Sequence, residues 1–265
     1  TKDGLSPELL AQSLSRRPIL LIGDVGAGKT IFIRNLITVE AASLFENSIT
    51  LYLDFGSKAT LVTNIKQFVI KEIIRQLRED HSVDIEEHNF VQGTYHLELE
   101  RFKKSIYKDL AVLNSTAFKE KEISFLEEQI KDKENHLNQS LKHLAKARKK
   151  QIVIFLDNAD QRDELIQQEV FLISQELAEN WPMTVFVTIR PETFHASIKR
   201  GALSGYHPKA FTISPPRVDL VIKKRLTFAL RLTSGEIPIH SLSVEIKAKF
   251  STLCTSPEIV DTPKG

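Results

Sequence analysis

The sequence predicts an α/β fold with a parallel, doubly wound sheet, and three observations predict it. A glycine-rich octapeptide, Gly23-Asp24-Val25-Gly26-Ala27-Gly28-Lys29-Thr30, stands between an apolar run and a helical pattern. A near-continuous apolar run, Gln151 to Leu156, ends in Asp157, as a strand covered on both faces does. Strand patterns then alternate with helical ones along most of the chain. With 265 residues, 42% hydrophobic and 26% charged, the composition suits one sizeable globular domain, or one domain plus a small appendage.

Each element has its own signal. Ser6-Pro7-Glu8 pairs an N-cap with a first-turn proline, so a helix runs from there to about Leu14. Pro18 to Ile22 is the first strand and Ile31 to Leu44 the helix after the octapeptide. Ile49 to Asp54 alternates and is rich in β-formers, a second strand. Ala59 to Arg78 places apolar residues at 61, 62, 65, 69, 70, 73, 74 and 77, the spacing of an amphipathic helix. Asp80 to Gly93 is polar and aperiodic. Leu99, Phe102, Ile106, Leu110 and Leu113 step by three and four, and Asn114-Ser115-Thr116 offers a turn and cap. Ile123, Leu126, Ile130, Leu137, Leu141 and Leu144 then resume the stepping. This predicts a helical hairpin with a coiled-coil-like seam, its second helix about 45 Å long.

Residues 95–150 hold 13 Lys/Arg against 9 Asp/Glu and end in Lys142, Lys146, Arg148, Lys149 and Lys150. That cluster reads as a solvated helix face, or as an arm touching a partner or nucleic acid. Beyond the Asp157 strand, Asp163 to Trp181 is helical and Met183 to Ile189 a buried strand. Pro191 to Lys199 is a short helix, and Ala210 to Ser214 a strand stopped by Pro215-Pro216. Arg217 to Leu232 is a helix with Lys223, Lys224 and Arg231 on a basic face. The expected organisation is a core in two halves, 1–94 and 151–216, with the hairpin 95–150 inserted and a helical lid or linker starting at 217–265.

The octapeptide matches G-x-x-x-x-G-K-[ST], the phosphate-binding loop or Walker A pattern, in the strand-to-helix context it requires. Glycines 23, 26 and 28 allow positive φ and close backbone approach to phosphates. The following helix favours an anion at its start. Lys29 can reach β- and γ-phosphates, and the Thr30 hydroxyl can bind Mg²⁺. The apolar strand delivers Asp157 to the carboxyl end of the sheet, where open α/β folds bind ligands. Asp157 is therefore the candidate Walker B acid, holding magnesium through water or through Thr30. Asp160 is the candidate water-activating base, its alternative role being a cap for the next helix. Arg190 ends the strand expected beside that of Asp157, where it could sense a γ-phosphate or pair with a neighbouring carboxylate. Asp54, at another strand end, reads as a turn residue. The expected ligands are ATP and Mg²⁺, since no Asn-Lys-x-Asp guanine-reading tetrapeptide occurs.

The loop, VIFLDNAD at 153–160, VFVTIR at 185–190, Pro215-Pro216 and a helical segment occur in that order. This resembles the STAND class of P-loop ATPases, AAA+-related signal-transducing NTPases, of prokaryotic type, over roughly residues 16–232. The resemblance implies a P-loop NTPase core and an ATP-driven switch whose nucleotide state controls conformation and self-association, or docking with other domains of a parent protein. Such switches serve immunity, transcription control and cell death, and prokaryotic members often act in defence against phage. In that family Lys29 and Thr30 correspond to the phosphate and Mg²⁺ binders, Asp157 to Walker B and Arg190 to the sensor arginine. The chain departs from the pattern where Asn158 follows Asp157 and the next acid is Asp160, which bears on turnover more than on binding. The 95–150 hairpin is an insertion, and the family's winged-helix and sensor modules are not expected within this fragment.

The alternative reading is an AAA+-like DNA loader with the basic arm and Lys223/Lys224 on the phosphate backbone. Leu203-Ser204-Gly205-Tyr206 resembles an ABC-type signature but follows Asp157, whereas in those ATPases it precedes Walker B. A small-molecule kinase leaves the arm unexplained. Histidines 81, 88, 96, 136 and 143 lack metal-ligand spacing, so no protein metal site is expected beyond magnesium with nucleotide. The single cysteine, Cys254, excludes an internal disulfide framework and suits a reducing compartment. With no signal peptide and no apolar run of ~18 residues, a cytoplasmic location and no membrane contact are expected. The chain starts at Thr1, holds one methionine, Met183, and ends in a linker-like Ser256 to Gly265, so a fragment of a longer protein is expected.

Overall fold

The computed structural model describes residues 17–56, 64–200 and 209–238, in two units, 1–214 and 215–265. The first unit adopts the expected α/β fold with an all-parallel, five-stranded sheet. Its strands are β1 (Ile19–Ile22), β2 (Ser48–Asp54), β3 (Gln151–Asp157), β4 (Thr184–Ile189) and β5 (Lys209–Thr212), in the order β2-β3-β4-β1-β5. β1, which leads into the glycine-rich loop, lies between β4 and β5, and β4 separates it from β3.

Because side chains alternate along a strand, the central strands β1, β3 and β4 feed two cores. Leu20, Ile22, Leu51, Leu53, Ile154, Leu156, Val185 and Val187 join one cluster. Ile19, Leu21, Val153, Phe155 and Phe186 join the other. Helix α1 (Lys29–Asn35), a π-helical turn over Leu36–Glu40 and α2 (Ala42–Phe45) close the second face with Ile33, Leu36 and Phe45. The first face is covered by α3 (Ile65–Glu79), α8 (Lys133–Ala147) and α9 (Glu164–Asn180). Between α3 and α8 run α4 (His88–Thr94), α5 (His96–Lys103), α6 (Lys108–Leu113) and α7 (Ser115–Lys131); α10 (Pro191–Arg200) follows β4.

Three segments differ from the sequence expectation. The helix after the loop starts at Lys29 and gives way to the π-helical turn, with Ala41 N–H bonded to Leu36 O at 2.9 Å. The run Ile37-Thr38-Val39 is β-branched and crowds a helix, and Thr38 Oγ1 draws on Arg34 O at 2.8 Å, a bond that bends helices. Residues 80–93, expected to be irregular, contain α4, whose cap is the Glu87 carboxylate accepting from Asn89 and Phe90 N–H. The stretch 95–150 is four helices rather than two. Its long second helix breaks at Asp132, which has ψ 92° and caps α8 by accepting from Glu134 and Asn135 N–H. The leucines expected in a seam, Leu137, Leu141 and Leu144, are fully buried in the core with α3 and α9. α8 is thus a layer of the domain.

A buried histidine ties this layer together. His136 is 2% exposed and stacks on Tyr95. Its Nε2 donates to Ile85 O at 2.9 Å, so Nδ1 of the neutral ring accepts from the Tyr95 hydroxyl at 3.0 Å. Burial lowers its pKa, against a smaller upward pull from the Ile85 hydrogen bond and Glu86. The unfolded chain, with a pKa of about 6.5, then binds more protons than the folded one, so stability rises with pH. The contribution is present above that value and is lost as pH falls through the lowered folded pKa. In thermal melts from pH 7 to 5, the wild type is expected to lose more Tm than His136→Gln; equal losses would exclude His136 as the source.

The second unit contains α11 (Val218–Thr233), with ion pairs Arg217–Asp219 at 2.8 Å and Arg231–Glu236 at 2.9 Å. The expected helix over Ser6–Leu14, positions 59–63, Leu203–Tyr206, Cys254 and Ser256–Gly265 lie outside the described residues. Among the described residues no helix is long and apolar enough to cross a membrane.

Candidate functional site

The octapeptide 23–30 wraps the carboxyl end of β1. Gly26 and Gly28 have φ of 78° and 87°, left-handed values that cost a side chain energy. Gly28 is the N-cap, so this turn is what starts α1 at Lys29. Gly23 donates its N–H to Ile189 O at 3.2 Å. A Cβ at position 23 would sit 3.0 Å from Ile213 O, so a side chain there would require the neighbouring backbone to shift by a few tenths of an ångström. Lys29 is 8% exposed and folds back over the loop. Its Nζ donates to Gly23 O at 2.7 Å and Asp24 O at 3.1 Å, and reaches Asp160 Oδ2 at 3.4 Å.

Asp157 ends β3 opposite Asp54 of β2. Strand alternation sends it to the face of Val153 and Phe155, the face that α1 covers. Thr30 of α1 therefore meets it, Oγ1 donating to Asp157 Oδ2 at 2.6 Å. Tyr52 OH donates to the same oxygen at 2.6 Å. Oδ1 accepts from Thr188 Oγ1 at 2.7 Å and Asn158 N–H at 2.9 Å. The carboxylate is fully buried and saturated by four donors. A buried charge is tolerated only with such pairing.

Asp160 follows in a 3-10 turn, Ala159–Gln161, entered through Asn158 at φ 59°. It does not cap α9; Asp163 does, accepting from Ile166 N–H at 2.9 Å. Asp160 Oδ2 instead accepts from Arg190 Nε at 2.9 Å and faces Lys29, while its buried Oδ1 has no partner among the described residues. The strand order explains the meeting. Arg190 leaves β4, which lies between the strand leading to Lys29 and the one leading to Asp160. Asp54 Oδ1 accepts from Gly56 N–H and Asn158 Nδ2, both at 2.8 Å, and so closes its own turn while bracing the next one.

All of 23–30, Asp157, Asp160 and Arg190 thus gather at one end of the sheet. Asp24, Gly28, Thr30, Asp160, Gln161 and Arg190 line a cleft of about 370 Å³ there. Tyr52, and Thr188 as a donor to Asp157, were not singled out from the sequence as site residues. The signal available was alignment of ITLYLD with IVIFLD by their final acids, which sets Tyr52 two positions behind Asp157 on the neighbouring strand. No protein-family model matches this chain, and neither does any curated protein or solved structure.

Proposed function

We propose that the chain is a P-loop NTPase core that binds ATP, hydrolyses it slowly, and serves as the switch module of a STAND-type signalling or defence protein, its nucleotide state controlling conformation and oligomerisation. The observation that carries this reading is that Lys29 and Arg190 share one carboxylate oxygen, Asp160 Oδ2, at the mouth of the glycine-rich loop. Two cations held by a single internal anion suit a phosphate chain, whose oxygens can replace that anion. The donor set also fits magnesium: a hydroxyl and carboxylates are hard oxygen ligands, and Asp160 offers an unpartnered buried oxygen in the same cleft. Thr30, and Asp157 acting through it, would hold the ion, which supplies neutralisation of phosphate charge. Lys29 then exchanges the carbonyls of Gly23 and Asp24 for phosphate oxygens, and Arg190 exchanges Asp160 for the γ-phosphate. Asp160, released, is the base that takes a proton from the attacking water. Its return to Arg190 after phosphate leaves is the structural difference a switch needs.

Calorimetric titration with ATP, ADP and GTP, with and without magnesium, tests this, alongside light scattering for size. Magnesium-dependent ATP binding above GTP, with a larger particle in ATP, is expected; no binding of any nucleotide at millimolar concentration would end the reading. Asp160→Asn is expected to tighten ATP binding roughly threefold, by removing the competing anion, and to suppress turnover. Weaker binding in that variant would contradict the exchange. The DNA-loader reading has less support. Of its basic cluster, Arg148 lies 5.2 Å over the Phe90 ring and Lys150 donates to Asn47 Oδ1 at 2.6 Å, so two of the five charges are engaged within the domain, while Lys146, Arg148 and Lys149 are exposed. DNA affinity that falls steeply with salt would restore it.

A further inference from the structure

β2 is an edge strand, and edge strands leave backbone groups unpaired. At Tyr52 those groups are taken. Gln76 of α3 donates Nε2 to Tyr52 O at 2.8 Å and accepts from Tyr52 N–H at Oε1, 2.9 Å away. This side-chain amide stands where a further strand would. It is 5% exposed, and its Nε2 also meets Glu72 Oε1 at 3.0 Å, one helical turn back, where Arg75 holds the carboxylate in turn. A buried amide committed in this way fixes one residue of the edge, and that residue's phenol crosses to the neighbouring strand's Asp157.

The phenol reaches Asp157 Oδ2, the oxygen that Thr30 also meets. Thr188 and Asn158 hold the other oxygen. Donors on both oxygens leave the carboxylate no rotation, and on Oδ2 only Tyr52 is independent of the loop. A phenol keeps its proton at neutral pH, and at 2.6 Å from a carboxylate oxygen it is the donor.

We infer that Tyr52 is a positioning residue for Asp157: held by Gln76, its hydroxyl aims Oδ2 at Thr30 and thereby sets how much magnesium strengthens nucleotide binding. This rests on the nucleotide reading above. Tyr52→Phe keeps the ring and removes only the hydroxyl. ATP affinity is measured by calorimetry in EDTA and in magnesium, with a thermal melt in EDTA to establish folding. In Tyr52→Phe, affinity in EDTA is expected within about twofold of wild type, while the gain on adding magnesium shrinks about tenfold. Gln76→Met leaves the phenol but frees its backbone, and is expected to shrink the same gain roughly threefold; it decides the matter if Tyr52→Phe does not fold. An unchanged magnesium gain, or an equal loss in both conditions, overturns the assignment while the nucleotide reading stands. A wild-type protein that binds no ATP in either condition overturns both.

Discussion

Lys29→Ala is expected to weaken ATP binding at least about a hundredfold while leaving the protein folded. The two effects separate because the amine has different partners in each state. In the structure Lys29 Nζ bonds the carbonyls of Gly23 and Asp24 and approaches Asp160. Asp24 lines a cleft of about 370 Å³, and Asp160 keeps Arg190 at 2.9 Å. Truncation is therefore expected to cost about 1–2 kcal/mol of stability, the range for a hydrogen bond made by a charged group whose acceptors keep other partners. On the proposed reading the same amine faces phosphate oxygens when nucleotide binds, and two charge-assisted hydrogen bonds are worth about 3 kcal/mol or more. That difference corresponds to about two decades in affinity. Calorimetry gives the affinity and a thermal melt the stability; ATP affinity equal to wild type would remove the phosphate-loop reading of residues 23–30.

Asp157→Ala is expected to be the most destabilising single change at the site, by about 3–5 kcal/mol. The carboxylate is fully buried and accepts from Thr30, Tyr52, Thr188 and the Asn158 N–H. Deleting it strands donors on three elements, each costing about 1–3 kcal/mol when unsatisfied. The sum is below the simple total because the Asn158 N–H has a second acceptor, Thr188 Oγ1, at 3.1 Å, and hydroxyls can turn. Asp157→Asn keeps the shape but aims amide hydrogens at hydroxyl donors, so a smaller loss of about 1–3 kcal/mol is expected. Both variants should lose the magnesium dependence of ATP binding. Urea unfolding measures the stabilities, and a loss below about 1 kcal/mol for Asp157→Ala would mean that the four-donor network is not formed.

The sequence was most legible where the signal is local. Gly26 and Gly28 take positive φ because the turn requires it, and the pattern of glycines announces such a turn directly. The apolar runs that became β3 and β4 carry both cores, so their composition marks them as central strands. Asp160 and Arg190 were each readable as strand-end residues, and an ion pair for Arg190 was an open alternative. The insertion was less legible. Leu137, Leu141 and Leu144 have the same spacing whether they face a second helix or a sheet, and periodicity cannot name the surface a stripe meets. Nor could it weigh Asp132, whose side chain makes a better cap than a helix-interior residue.

By itself, then, the sequence determined the parallel α/β class, the glycine-rich turn, and the acids and arginine that end strands, because these follow from neighbouring residues and the periods of helix and strand. Tertiary structure alone decided the strand order, which places β4 between β3 and β1 and so lets Arg190 and Lys29 meet Asp160. It alone made α8 a layer of the core. It alone joined Tyr52 to Asp157 across 105 positions, and Thr30 to Asp157 across 127. Those contacts depend on which strands pair and in what register, a choice made by the burial of whole faces rather than by any local run of residues.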